Sequence, residues 1–309
     1  MATRQAVGRW AAVLAAALLL WAPGYSSEPG APAPIQKAEA PAVTTPADGA
    51  VPAWAKVSQW QIDEARKAGV PAAKELDLGV GVTMKLALIP AGKFMMGSLD
   101  SEKGRSKDEG PQHEVTLSKP FYMGVTEVTQ AQYEAVMGTN PSHFKGATNP
   151  VEKVPWEDAT EFCKKLSEKT RQAVRLPTEA EWEYACRAGT TTRFSFGDED
   201  SILGDYAWYD SNSGGTTHPV GQKKPNAWGL YDMHGNVYEW CADWYGDYPK
   251  GAVTDPQGPA SGAVLVLRGG SWLNDPWRCR SGCRDWFTPV SFSDAFGFRV
   301  VVSVSAPGL

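Results

Sequence analysis

The sequence is poor in the residues that build common active sites. It carries 4 His and 5 Cys in 309 residues. The cysteines, Cys163, Cys186, Cys241, Cys279 and Cys283, form no C-x-x-C pair, and no second Cys/His pair at ligand spacing accompanies Cys279 and Cys283, which argues against zinc. Ser271 has no nucleophile elbow around it, and Gly229, Gly235 and the Gly269-Gly270 pair do not form a phosphate loop. Serine-hydrolase and nucleotide chemistry are therefore not expected. A net charge of −5 without a dense basic run argues against nucleic acid as a partner.

Long apolar runs are also missing, apart from one at the start. Arg4 and Arg9 precede an apolar stretch from Trp10 to Ala22, followed by Ser26 and Ser27, the pattern of a cleavable secretory signal over residues 1–26. That stretch is short for a bilayer span, so export to the periplasm or extracellular space without a stable membrane anchor is expected. No Cys follows it to accept a lipid. In an exported chain an odd number of cysteines leaves at least one thiol without an intramolecular partner. Residues 27–77 read as a Pro/Ala-rich tether and a short helix, because residues 28–53 are too poor in apolar side chains to offset their ordering entropy. Residues 78–303 are long enough for one large core, with no second linker, and a monomer is expected.

Within that domain, tryptophan and glycine are abundant. Nine of the 13 Trp fall between Trp156 and Trp286, interleaved with Gly and Pro, which suggests aromatic packing around irregular backbone. Three helices are predicted. Thr129 with Gln132 forms a capping box and Gly138 closes that helix. Ala159, Phe162, Cys163 and Leu166 recur at helical spacing, with Cys163 a small buried hydrophobe on the apolar stripe. Thr178 with Glu181 opens a third helix that runs to Gly189. Short strands are predicted over 84–89, 112–117, 121–125, 264–268 and 297–302, and the rest as loop. Asp232 to Trp240 holds two acids, Asp232 and Glu239, around Gly235. That composition suits calcium, but spacing alone reads it as a solvated acidic turn with His234 a surface residue.

Several blocks taken together resemble the formylglycine-generating enzyme (sulfatase-modifying factor) family. They are Ile89-Pro-Ala-Gly-Lys-Phe-Met-Met-Gly97, Glu127-Val-Thr-Gln130, Arg175-Leu-Pro-Thr-Glu-Ala-Glu-Trp-Glu-Tyr184, Asn226 to Trp240, Arg268-Gly-Gly-Ser-Trp272 and Gly297-Phe-Arg299. The resemblance implies an α+β, C-type-lectin-like fold with little regular secondary structure. It also implies a copper(I) ion held by two thiolates, which serves oxidation of a sulfatase cysteine to formylglycine, with Ser271 and Cys279 in the reactive centre. The first thiolate position, however, is Asn274, and Cys283 lies beyond Cys279 instead of before it. A neutral amide is a poor copper(I) ligand, so the expectation is a non-catalytic domain that binds a protein, peptide or glycan surface, with a sulfatase among the candidate partners. A formylglycine-generating oxidase is the alternative. The resemblance further implies a structural calcium held by Asp232 and Glu239 and the carbonyls of Gly235 and Val237, and a disulfide from Cys186 to Cys279, with Cys283 and Cys241 as rival partners.

Overall fold

The computed structural model describes residues 43–44 and 50–304; the expected signal segment and most of the tether lie outside the described residues. The strands are β1 (Val43–Thr44), β2 (Ala73–Asp77), β3 (Thr83–Ile89), β4 (Gly92–Met96), β5 (His113–Leu117), β6 (Phe121–Gly124), β7 (Val174–Arg175), β8 (Tyr238–Trp244), β9 (Val253–Thr254), β10 (Leu265–Arg268), β11 (Asp285–Phe287), β12 (Phe296–Gly297) and β13 (Val301–Ser303). The main helices are α1 (Gln59–Ala68), α2 (Gln130–Met137), α3 (Trp156–Thr170) and α4 (Glu179–Arg187). The strands form three sheets, in the orders β1-β2-β3-β6-β13-β7, β11-β10-β8-β12 and β4-β5-β9. No helix among the described residues is long and apolar enough to cross a membrane.

The three predicted helices form where their local signals put them. Thr129 and Thr178 each accept the N3 amide while the N3 side chain returns to the cap amide, and Gly138 ends α2 in the left-handed conformation. Helix α3 buries Ala159, Phe162, Cys163 and Leu166 on one stripe, and burial pushes the Cys163 thiol up to about 12.

The largest sheet is buried on both faces because side chains alternate along its strands. Leu86, Leu88, Tyr122, Val300 and Val302 pack with α2 and α3. Ala87, Ile89, Phe121, Met123 and Val301 face the other way, toward α4 and Val266 of β10. Helix α1 and strand β2, from the stretch read as tether and short helix, belong to this body: β2 pairs with β3, and Gln61 of α1 donates to the Leu88 and Trp228 carbonyls.

Two departures from the predicted strands have structural causes. The strand expected over 297–302 is divided, because β12 pairs with β8 in one sheet and β13 with β6 and β7 in another. Strand β8 was not predicted. Its residues Tyr238 to Cys241 are all buried, so the alternation that advertises a half-exposed strand is absent.

Candidate functional site

The loop leaving β10 is seated by Arg268, which is fully buried. Its guanidinium pairs with Glu183 of α4 and donates to the Cys283 carbonyl and, at 3.0 Å, to the Ser281 carbonyl. Gly270 follows at φ 72°, and a Cβ there would stand 2.8 Å from Cys279 Sγ, so only glycine lets the turn close over that thiol. The Ser271 hydroxyl donates to Oδ1 of Asn274, the residue that the resemblance sets at the first thiolate position, at 2.6 Å, which makes a neutral pair. Cys279 has no exposed surface; burial, together with nearby Cys283 and Asp275, pushes its thiol far above the usual range. The residues present do not fit a bis-thiolate copper ion, since the resemblance sets one ligand at Asn274, an amide already bonded to a hydroxyl.

All five cysteines are free thiols in this structure, so the expected Cys186–Cys279 disulfide is not formed. Cys186 Sγ is instead 3.6 Å from Ser281 Oγ and 3.9 Å from both ring nitrogens of His234. His234 is only 2% exposed, so it is not the surface residue expected from its place in a turn. Its Nε2 accepts from the Ser195 amide at 3.1 Å, which leaves Nδ1 to donate to the Cys279 carbonyl at 2.8 Å. That network assigns a neutral ring, in keeping with burial lowering His234 to about 4. His234 therefore holds Cys279 in place by its backbone, and the thiol stays apart.

The acids of the Asp232–Glu239 block lie in the interior with Glu127. Glu239 is fully buried at the start of β8, and its carboxylate accepts from Arg299 Nε and Nη2 at 2.6 Å each and from the Trp182 indole at 2.7 Å. Asp232 accepts the Gly221 amide at 2.7 Å through Oδ2, while its buried Oδ1 has no hydrogen-bond partner among the described residues. Glu127 takes the Val237 amide at 3.0 Å and the Asn236 side chain at 2.8 Å. Burial lifts Asp232 to about 6 and, with the negative charges of Asp232 and Glu239, lifts Glu127 well above the carboxylate range.

Of the three acids only Glu239 is bonded to Arg299, which acts on Asp232 and Glu127 through its charge. Glu127 belongs to the Glu127–Gln130 block, and its place beside Val237, 110 positions away, has no local signal. The donor set fits calcium in part. Asp232 would hold the ion through its unsatisfied oxygen, and the ion would supply the missing positive charge; Gly235 lies in the turn between, while Glu239 is committed to Arg299. No three His, Cys, Asp or Glu side chains among the described residues converge as a ready metal site.

Leu273 and Trp277, on either side of Asn274 in the chain, are 44% and 39% exposed, and Trp286 and Phe287 are 48% and 39% exposed. The last two lie on β11, an edge strand of its sheet.

Comparison with known proteins places these features in one family. Residues 80–304 match the model for the sulfatase-modifying factor enzyme 1-like domain. The chain is 32% identical to a formylglycine-generating enzyme from Streptomyces coelicolor over 68% of its own length and 87% of the relative's. It is 34% identical to a chaperone protein, LppX, from Paenibacillus barcinonensis, over 55% of this chain and 75% of that protein. It is likewise 34% identical to a serine/threonine-protein kinase, pkn1, from Chlamydia caviae, with 71% of this chain aligned to only 38% of the kinase. Among solved structures, Treponema denticola variable protein 1 superposes with a TM-score of 0.71 at 36% identity, covering 76% of this chain and all of that one. PvdO from Pseudomonas aeruginosa gives 0.66 at 32% identity, over 74% and 98%. The α+β, C-type-lectin-like architecture expected from the resemblance is the one found, with modest regular structure. The chain belongs to the sulfatase-modifying factor family, whose members include the formylglycine-generating enzymes.

Proposed function

We propose that this chain is an exported, non-catalytic member of its family that uses the surface beside Asn274 to bind another protein or a peptide. The observation that carries the reading is the Ser271–Asn274 hydrogen bond, which fills the first thiolate position with a neutral pair. Without a second soft anion, copper(I) has no linear thiolate site, and the remaining thiol, Cys279, is fully buried. The exposed Leu273, Trp277, Trp286 and Phe287 supply what a binding surface needs, since large aromatic side chains bury much apolar area on contact. A relative named as a chaperone is in keeping with a protein partner. A sulfatase remains a candidate partner, and a calcium ion at Asp232 would stiffen the interior beneath the site.

The oxidase reading draws support from the relative named as a formylglycine-generating enzyme. The two readings separate in one assay, in which purified protein is supplied with copper(I), O₂, a thiol reductant and a sulfatase peptide containing the target cysteine. No aldehyde is expected. Aldehyde formed at more than one equivalent per protein would overturn the non-catalytic reading.

A further inference from the structure

A cavity of about 420 Å³ opens between Trp54, in the segment preceding α1, and the start of α2, apart from the Asn274 loop and bordering Asp232 at Gly221 and Tyr231. Its size falls within the range of small-molecule sites. Aliphatic, aromatic and hydroxyl-bearing side chains line it. Trp54 and Tyr231 bring aromatic rings, and Thr126, Thr129 and Thr148 bring hydroxyls; Thr126 Oγ1 donates to the Glu127 carbonyl and keeps its acceptor capacity, while Thr129 Oγ1 accepts the Gln132 amide and keeps its proton to donate. Lys85 adds a cation; its ammonium lies 5.4 Å from the Trp54 ring centre and has no ion-pair partner among the described residues.

The start of α2 borders the cavity but does not supply its donors. The Gln130 and Ala131 amides go to the carbonyls of Asn149 and Ala147, and Thr129 and Gln132 satisfy each other's amides. The side chains left to meet a ligand bring hydroxyls, aromatic rings, aliphatic surface and one ammonium. A pyranose has the matching surfaces, since its C–H face packs on an aromatic ring while its rim of hydroxyls exchanges hydrogen bonds with other hydroxyls. The lone ammonium favours a sugar with a carboxylate.

Trp54 lies outside the family match, which begins at residue 80. The segment carrying it is nonetheless fixed: Gly229, at φ 78°, lies so close that a Cβ there would stand 3.0 Å from the Lys56 carbonyl. This wall of the cavity is thus built by residues that precede the family match.

We propose that the cavity binds a uronic-acid sugar, with the ring stacked on Trp54, the hydroxyls on the threonines and the carboxylate on Lys85. The test titrates the full chain with D-glucuronate, D-glucose and acetate by calorimetry or ligand-observed NMR. Glucuronate should bind saturably and more tightly than glucose, and acetate should not bind. Trp54→Ala should weaken glucuronate binding by about tenfold or more, and Lys85→Met should abolish the preference over glucose. Trp286→Ala, on the separate surface proposed for a protein partner, should change neither value. Lys85 is exposed, so its variant keeps the test readable if Trp54→Ala does not fold. The proposal is overturned if millimolar glucuronate shows no saturable binding. It is overturned equally if acetate binds as well as glucuronate, if a folded Trp54→Ala binds like wild type, or if Lys85→Met keeps the preference.

Discussion

Replacing Asp243 with Asn should make the domain more stable, and more so as the pH rises. Asp243 is 4% exposed on β8, and one of its oxygens accepts the Glu179 amide at 2.8 Å. Burial raises its carboxyl to about 8, reinforced by the negative charges of Glu179 and Glu181 and opposed by the Glu179 amide and Arg284. Arg284 donates to both oxygens of Glu179, at 2.6 and 2.9 Å. The folded state therefore keeps a proton on Asp243 that the unfolded chain releases near its ordinary value of 3.8. Asp243 contributes its full stability only below that value, and the contribution is lost progressively as the pH rises toward 8. Each pH unit inside the window changes stability by about 1.4 kcal/mol, so from pH 5 to pH 7 wild type should lose about 3 kcal/mol from this group. Asparagine keeps the acceptor for the Glu179 amide and removes the titration. Urea denaturation of wild type and Asp243→Asn at pH 5, 6 and 7 measures the effect, because groups common to both cancel in the difference. The gap in favour of the variant should widen by about 3 kcal/mol, a midpoint shift of roughly 1 M urea. A gap that stays constant across that range would refute a buried, protonated Asp243.

Denatured without reductant, the chain should titrate five thiols with a disulfide reagent; a count lower by two would establish one bridge. Arg268→Met should cost about 3–5 kcal/mol, measured by urea unfolding, because it leaves the fully buried Glu183 without one of its two arginine partners; a loss below about 1 kcal/mol would mean that Arg187 suffices. If calcium binds at Asp232, chelator should lower the melting temperature and added calcium restore it, while Asp232→Ala should be insensitive to both; an unchanged melting temperature in wild type would mean that Arg299 alone serves the acids.

The sequence by itself settled features whose causes lie within a few residues of one another. The capping boxes at Thr129 and Thr178, the glycine that ends α2 and the buried stripe of α3 all came out as read, because a helix end and a helix face are local properties. The family blocks gave the α+β fold. What lay beyond local reading was pairing between distant residues. Strand β8 looked like an acidic turn because its buried residues show no alternation, and only the neighbouring strands β10 and β12 reveal it as a strand. Four arginines that the charge pattern would place in solvent are buried against carboxylates far along the chain: Arg268 on Glu183, Arg280 on Glu109, Arg284 on Glu179 and Arg299 on Glu239. Cys186 faces Ser281 and His234 instead of Cys279 for the same reason. A charge or a thiol carries no mark of its partner in its own neighbourhood, and in a loop-rich domain the partner is decided by which irregular segments the core brings together.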